Sequence, residues 1–212
     1  MAPKLLVPFA DYSRIFRVIY SVLDGRAHTH RACVFWANAG AKMLKDHYKL
    51  PAVPIAGAAV YYLSDAEALA ATFGEFKDGD LVSTPEAFHC WVECGDYALD
   101  FMAPVFHENM RSSGYASTIP RRMFQRKLSH MADSAAGLTH EGAFHLRPSV
   151  EQTESMLRSF GSKFAPSDLA NICSYWYRRP PKPIPKTLDM QDDLGNVTKL
   201  ELHGPEIVGV WG

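Results

Sequence analysis

The segment from Phe88 to Met102 constrains the fold of this chain more than any other stretch. Apolar and polar residues alternate along it, on either side of a Gly95-Asp96 pair. Glycine at the first central position is typical of a two-residue hairpin turn, so the segment predicts two antiparallel strands. The turn also sets the register, in which Cys94 lies opposite Tyr97. We therefore expect the rest of the chain to pack around an antiparallel sheet.

Two polar side chains of this hairpin are predicted to meet. In the same register Trp91 lies opposite Asp100, and His89 lies diagonal to Asp100. Residues directly opposite and residues two apart share a face, and a diagonal separation of about 7 Å is within reach of two polar side chains. Asp100 is therefore interpreted as the group that holds the His89 ring in one tautomer. The alternatives are a sheet histidine and a strand-end cap.

A cysteine is predicted in the first turn of a helix. Apolar residues at helical spacing indicate a helix over 8–24, and a second helix over about 31–48 follows a short polar loop. Cys33 lies at the beginning of the second helix. A thiol attacks a carbonyl carbon as the thiolate, which a helix N-terminus and a nearby imidazolium both stabilise. Cys33 is thus a candidate nucleophile with His89 as its base; the alternative is a small buried apolar residue.

Further elements follow from local patterns. Val53 to Leu63 is rich in Val, Ile, Ala and Tyr and predicts a buried strand. Ser64 to Glu67 matches a capping box, so a helix is expected over 65–73. Two more helices are expected behind candidate N-caps, namely 150–160 behind Ser149 and 168–177 behind Ser167.

The last third of the chain has its own signals. Arg178 to Lys186 contains four prolines and predicts an extended connector. Val197 to Trp211 alternates about Gly204-Pro205 and predicts a closing hairpin. The basic amphipathic stretch from Arg121 to His130 is not assigned to an element.

Composition places these elements in one domain that spans residues 1–212. Of 212 residues, 47% are apolar and 21% are charged, which suits one buried core. With the hairpin, this predicts an α+β fold in which N-terminal helices pack on an antiparallel sheet. A net charge of −1 gives no global field that would attract nucleic acid, and no segment has the roughly 18 apolar residues of a membrane span. Neither nucleic acid nor membrane is expected as a partner.

The cysteines indicate a reduced protein. They occur at positions 33, 90, 94 and 173, which is not the pattern of a disulfide scaffold. The apolar run near the start is too short for a secretory signal. We therefore expect a cytoplasmic protein.

A metal site is the alternative use of the histidines and cysteines. The candidate ligands are four histidines and three cysteines, namely His28, His30, His89, His107, Cys33, Cys90 and Cys94. None of the compact zinc spacings appears among them. Alternation along the strand also predicts that Cys90 and Cys94 point away from His89. Neither a metal nor another cofactor is expected.

The motifs around the three candidate residues resemble those of bacterial transglutaminase-like domains. The run Cys33-Val34-Phe35-Trp36-Ala37, with the later segment 49–57, is similar to their nucleophile helix and following strand. The runs 89–93 (HCWVE) and 99–100 (LD) are similar to their His-x-Trp-x-Glu and Leu-Asp elements, so the resemblance covers residues 28–104. It implies a papain-like cysteine-proteinase fold. Within that fold it implies Cys33 as nucleophile, His89 as general base and Asp100 as orienting carboxylate.

The resemblance also leaves roles to be filled. Trp91 would be a packing residue under the site, and residues 105–212 would shape the cleft and close the fold. Papain-like enzymes place an oxyanion-binding glutamine before the nucleophile, but the segment from Arg26 to Ala32 contains none. The Cys33 backbone N–H is one candidate donor. A second could come from His28, His30 or Asn38, for which loop solvation or helix packing is the alternative.

The expected function is thiol-dependent acyl transfer. The substrate would be a peptide, an amide or another acyl compound, and the acyl group would pass to water or to an amine. The rival hypothesis is a catalytically inactive transglutaminase-like fold that binds a peptide or a protein. A metal-binding protein is the second rival.

Overall fold

The computed structural model describes residues 5–116 and 118–211. Its α-helices are α1 (Phe9–Leu23), α2 (Cys33–Met43), α3 (Phe106–Ser112), α4 (Val150–Gly161) and α5 (Phe164–Trp176). A π-helical turn, Leu44–Tyr48, continues α2. Short 3₁₀ turns span Thr29–Arg31, Ala103–Val105, Leu128–His130 and Ala135–Gly137.

The strands form one large sheet and two small hairpins. They are β1 (Val53–Ser64), β2 (Leu69–Phe73), β3 (Glu75–Lys77), β4 (Asp80–Val82), β5 (His89–Cys94), β6 (Tyr97–Asp100), β7 (Arg122–Lys127), β8 (Phe144–Pro148), β9 (Thr187–Gln191), β10 (Val197–Glu201) and β11 (Gly209–Val210). The large sheet has the order β11-β7-β6-β5-β1-β2, and β8 also pairs with β1. Its pairs are antiparallel except β11 with β7, which is parallel. The predicted α+β fold is confirmed.

Two strands lie end to end along one edge of β1. β5 pairs with Val53–Gly57, and β2 pairs with Ala59–Ser64. β8 pairs with residues 57–61 and takes the other edge, because a residue of β1 that already has a partner in β5 or β2 also has one in β8. Phe73, the last residue of β2, therefore follows His89, the first residue of β5, along the same edge.

Helix α2 lies close against the sheet. It packs on β5 and on α5. At Gly40 a Cβ atom would lie 2.2 Å from the Phe101 ring, so only glycine allows this approach. One turn before Gly40, the Trp36 ring stacks on Phe16 of α1 with centroids 5.2 Å apart. This packing fixes where α2 begins relative to β5.

Several predicted elements are confirmed with small changes in their bounds. α1 and β1 occupy the predicted segments, and α2 begins at Cys33. The hairpin has the expected register, with Cys94 opposite Tyr97. Helix α4 begins behind Ser149, whose hydroxyl oxygen accepts a hydrogen bond from the Gln152 backbone N–H at 3.2 Å.

The helix predicted over 65–73 is wrong. Ser64 Oγ does accept a hydrogen bond from the Glu67 N–H at 3.3 Å, so the capping contact exists. The turn ends at Ala68, whose φ of 47° is left-handed and incompatible with a continuing helix. The next residues form β2 instead, because Leu69 and Ala71 are buried on one face when the strand pairs with β1.

The helix predicted behind Ser167 is confirmed as α5, although it begins at Phe164, three residues before that expected cap. The predicted closing hairpin is wrong. The segment 197–211 does not fold on itself: β10 pairs with β9, and β11 pairs with β7. The unassigned basic stretch contains β7. Residues 178–186 join α5 to β9 with a turn at 180–182 rather than as one extended run.

None of the helices in the described part of the chain is both long enough and apolar enough to cross a membrane.

Candidate active site

Cys33 stands at the first position of α2. The 3₁₀ turn Thr29–Arg31 leads into it, and the Trp36 indole N–H holds that turn by donating to the Thr29 carbonyl oxygen at 2.8 Å. Ala32 occupies the N-cap and provides no side-chain acceptor, so the first backbone N–H groups of the helix are free to face an anion. Cys33 is only 9% exposed. The residue is thus almost wholly enclosed by the protein.

His89 and Asp100 form the hydrogen-bonded pair that the hairpin predicts. The His89 Nε2 to Asp100 Oδ2 distance is 2.6 Å, and both residues are buried. Asp100 Oδ1 accepts a hydrogen bond from the Met102 backbone N–H at 2.9 Å. The Tyr12 hydroxyl donates to the Asp100 carbonyl oxygen. The carboxylate is therefore held by the backbone of its own turn, and α1 holds the main chain of Asp100, which together fix the imidazole that the carboxylate binds.

Aromatic rings surround the imidazole. Phe73 stacks on His89 with ring centroids 4.2 Å apart and an interplanar angle of 23°. Tyr61 and Phe106 lie edge-on or tilted to it at 5.8 and 5.9 Å. These rings keep water from the His89–Asp100 hydrogen bond and so lower the local dielectric, which strengthens the interaction between the two groups.

Cys33, His89 and Cys90 meet where α2 and β5 begin. The Cys33 sulfur makes side-chain contacts with the Cys90 thiol and with the His89 imidazole. The Cys90 hydrogen bond lowers the pKa of Cys33 most, burial opposes this, and the imidazole lowers the pKa further, so that it falls well below that of an ordinary thiol. The same contact and burial raise the pKa of Cys90. Cys90 therefore keeps its proton and donates to the Cys33 sulfur.

The imidazole carries the complementary charge. Burial tends to lower the pKa of His89, but the Asp100 carboxylate and Cys33 outweigh it and raise the pKa to about 9. His89 Nε2 is bound to Asp100, and Nδ1 makes no hydrogen bond of ordinary geometry to any described residue. The interaction with the sulfur therefore falls to Nδ1. A lowered pKa of the thiol and a raised pKa of the histidine both favour the thiolate–imidazolium form over the neutral pair.

The three side chains considered as oxyanion donors, His28, His30 and Asn38, lie in different surroundings. Asn38 is committed elsewhere, because its Nδ2 donates to the Val34 carbonyl oxygen at 2.8 Å within the same helix. His28 is exposed, and its ring lies 5.8 Å from that of the half-buried His30. Burial and then Arg31 lower the pKa of His30.

Trp91 is fully buried, and its indole N–H donates to Glu93 Oε1 at 3.0 Å. The indole is therefore a packing group and not a donor for an oxyanion. The backbone N–H of Cys33 is left as the donor at the beginning of α2.

The described residues contain no group of three or more His, Cys, Asp or Glu side chains placed to hold a metal ion. His107, which the metal alternative included, instead accepts a hydrogen bond at Nδ1 from the Ile119 backbone N–H at 3.3 Å.

Comparison with known proteins identifies the family. Residues 8–211 match the model of DUF2026, described as a protein of unknown function. This chain belongs to the DUF2026 family. The crystal structure of the genomics protein APC5867 is similar to this DUF2026 chain with a TM-score of 0.86 and 33% identity, over 99% of this chain and 98% of that one. No curated protein matches the sequence.

Sequence reasoning missed two groups at the site of this DUF2026 protein. The first is Cys90, whose thiol interacts with the Cys33 sulfur, although alternation along β5 predicts only that Cys90 points away from His89. The second is Phe73, which lies in the segment that the capping box predicts to be helical. Its signal was the alternation of Leu69, Ala71 and Phe73, which the capping-box pattern outweighed.

Proposed function

We propose that this DUF2026 protein is a thiol-dependent acyl-transfer enzyme of the papain-like, transglutaminase-like type. The observation that carries the proposal is the contact of Cys33, at the beginning of a helix, with a buried imidazole whose other nitrogen is hydrogen-bonded to Asp100. The order of helix, strand and next strand agrees with the resemblance of the motifs in residues 28–104. The roles are nucleophile for Cys33, general acid and base for His89, and orienting carboxylate for Asp100.

The first half of the reaction forms an acyl-enzyme. The Cys33 thiolate attacks the carbonyl carbon of an amide, peptide or thioester, and the carbonyl oxygen becomes an oxyanion that the Cys33 N–H stabilises. The His89 imidazolium then gives its Nδ1 proton to the leaving amine or thiol as the bond to the carbonyl carbon breaks. The product is a thioester on Cys33 and a neutral imidazole that remains hydrogen-bonded to Asp100.

The second half restores the enzyme. Neutral His89 takes a proton from water or from an amine as that nucleophile attacks the thioester. When the tetrahedral adduct collapses, the Cys33 thiolate leaves and the acid or the new amide is released. The thiolate–imidazolium pair is then present again, so no external oxidant, reductant or metal ion is consumed.

The test is direct detection of the acyl-enzyme. Purified protein is mixed with acetyl-N-acetylcysteamine thioester, quenched in acid and mapped by mass spectrometry. We expect the acetyl group on Cys33, its loss in Cys33→Ala, and unchanged labelling of Cys33 in Cys173→Ala, because Cys173 is buried away from the site in α5. Equal labelling of all four cysteines would contradict the proposed acyl-transfer activity and favour the catalytically inactive binding module.

A further inference from the structure

A cavity of about 670 Å³ lies beside the nucleophile. Its wall includes Ala32 and Val34, the two chain neighbours of Cys33, and Phe88, which precedes His89. The volume is within the about 300–1,000 Å³ that is usual for small-molecule sites. Cys33 itself does not line the cavity, so a group bound there would lie beside the residues that flank the nucleophile.

The lining of the cavity is mainly apolar. It comes from the end of α1, the beginning of α2, the loop before β5, and helices α4 and α5. The large apolar side chains on it include Leu23, Phe35, Phe88, Met156, Phe160 and Leu169. Two charged residues of the wall, Glu151 and Lys163, are exposed. The charge therefore lies at the mouth of the cavity.

Hydrogen bonds hold opposite walls of the cavity together. Gln152 of α4 donates from Nε2 to the Thr84 carbonyl oxygen at 2.8 Å, which ties α4 to the loop before β5. The Gln152 backbone N–H is bound to Ser149. These polar groups of the wall are satisfied by the protein itself, so the cavity is formed before a ligand binds and offers a ligand mainly apolar contact.

We propose that this cavity binds a large apolar acyl group, so that the substrate of Cys33 is an acyl donor carrying such a group. The inference rests on the proposed function and names its substrate class. Phe73, Tyr61 and Phe106, which surround the imidazole, are not among the cavity-lining residues. These rings therefore form no wall of the cavity. Since His89 must protonate the leaving group, the acyl group is the part directed into the cavity.

An alkylation series tests the cavity without requiring turnover. N-ethyl and N-octyl iodoacetamide are reacted with the full chain, and the rate at Cys33 is divided by the rate with glutathione to remove intrinsic reactivity. Each methylene that enters an apolar site improves binding by about fourfold. We expect the octyl reagent to be favoured by at least about 30-fold. A normalised ratio near one would overturn the inference.

A matched pair of variants locates the effect. Ser155→Trp places a large ring on the α4 wall of the cavity at an exposed position, and should reduce the octyl-to-ethyl ratio at least about tenfold. Leu157→Trp introduces the same ring on α4 outside the lining and should leave the ratio unchanged. Ser159→Trp, one turn along the same wall, provides a second variant if the first fails to fold. An unaltered ratio in a folded lining variant would overturn the inference.

Thioesters then identify which part of the substrate enters the cavity. One series varies the acyl group from acetyl to octanoyl on N-acetylcysteamine, and the other varies the leaving thiol from ethanethiol to octanethiol on an acetyl group. Preference for octanoyl supports the inference, and preference for octanethiol overturns it. Acylation of Cys33 without chain-length dependence refutes the inference alone. A chain-length effect in alkylation with no acyl-enzyme from any thioester refutes the proposed function and with it the acyl assignment.

Discussion

Cys33 and Cys173 are both buried on helices that pack against each other, and their surroundings are opposite. Cys173 lies inside α5, where burial raises the pKa of its thiol. Cys33 lies at the first position of α2, where contacts with Cys90 and His89 outweigh burial and lower the pKa. Burial alone therefore makes a thiol inert, and the position on the helix together with the partners decides whether it becomes a nucleophile.

The largest expected effect is the difference in reactivity between these two thiols. At about pH 6, iodoacetamide should label Cys33 more than about 10³-fold faster than Cys173 in the folded protein. A lowered pKa keeps Cys33 ionised above that pKa. Its rate should therefore be level from below neutral pH upward, while acyl transfer should fall as His89 loses its proton through about pH 9. Peptide mapping over a pH series measures alkylation and acylation at each thiol. Equal alkylation rates at Cys33 and Cys173 would contradict the difference between their surroundings.

Removal of the imidazole should make Cys33 resemble an ordinary thiol. In His89→Ala the cationic partner is lost, so the pKa of Cys33 rises and its alkylation at about pH 6 should slow by about 10²-fold. Reactivity should return at alkaline pH, where any thiol ionises. His47→Ala is the matched control, because its ring binds Ser174 rather than a group of the site. A pH profile that His89→Ala leaves unmoved would show that helix position alone activates Cys33.

The contribution of the second thiol should be smaller. Cys90→Ala removes the S–H donor to Cys33 and should raise the pKa of Cys33 enough to slow alkylation at about pH 6 by about tenfold. Cys94→Ala, in the same strand, removes a thiol whose pKa is raised by burial and should have no effect. If both variants behave alike, Cys90 is only a packing residue.

The smallest expected effect is on stability, where replacing Cys173 should matter more than replacing Cys33. Cys173→Ser buries a hydroxyl at a fully buried position and should lower the free energy of unfolding by about 1–3 kcal/mol. Cys33→Ser should cost less than about 1 kcal/mol, because serine is well tolerated where a helix begins. Urea unfolding followed by circular dichroism measures both. A larger loss for Cys33→Ser would mean that this position serves the fold more than the site.

The parts of the site that sequence predicted are those set by local chemistry. The Gly95-Asp96 turn fixes the register of β5 and β6, and the register alone brings His89 to Asp100. The beginning of α2 at Cys33 follows from the apolar spacing after a polar loop. These relations depend on neighbours within about a dozen residues, for which periodicity and turn type are sufficient.

The parts that sequence did not predict depend on distant partners. β2 forms because the free edge of β1 beyond β5 accepts it, and the capping pattern at Ser64 gives no sign of that edge. Likewise β11 pairs with β7, more than eighty residues away, instead of folding back on β10. Long-range pairing of this kind overrides local propensity, and one sequence alone contains no signal for it.

The end-to-end arrangement of β2 and β5 separates two tasks at the His89 imidazole. β5 and its hairpin partner β6 supply the ring and its anchor, whereas the ring that covers it, Phe73, belongs to a strand reached by a different loop. If β2 slid by one residue, Thr72 would replace Phe73 and the aromatic face would turn away. His89 would then lose the ring stacked on it, while Tyr61, Phe106 and the hydrogen bond to Asp100 stayed in place. The cover of the His89 ring thus depends in part on a strand that contributes neither Cys33, His89 nor Asp100.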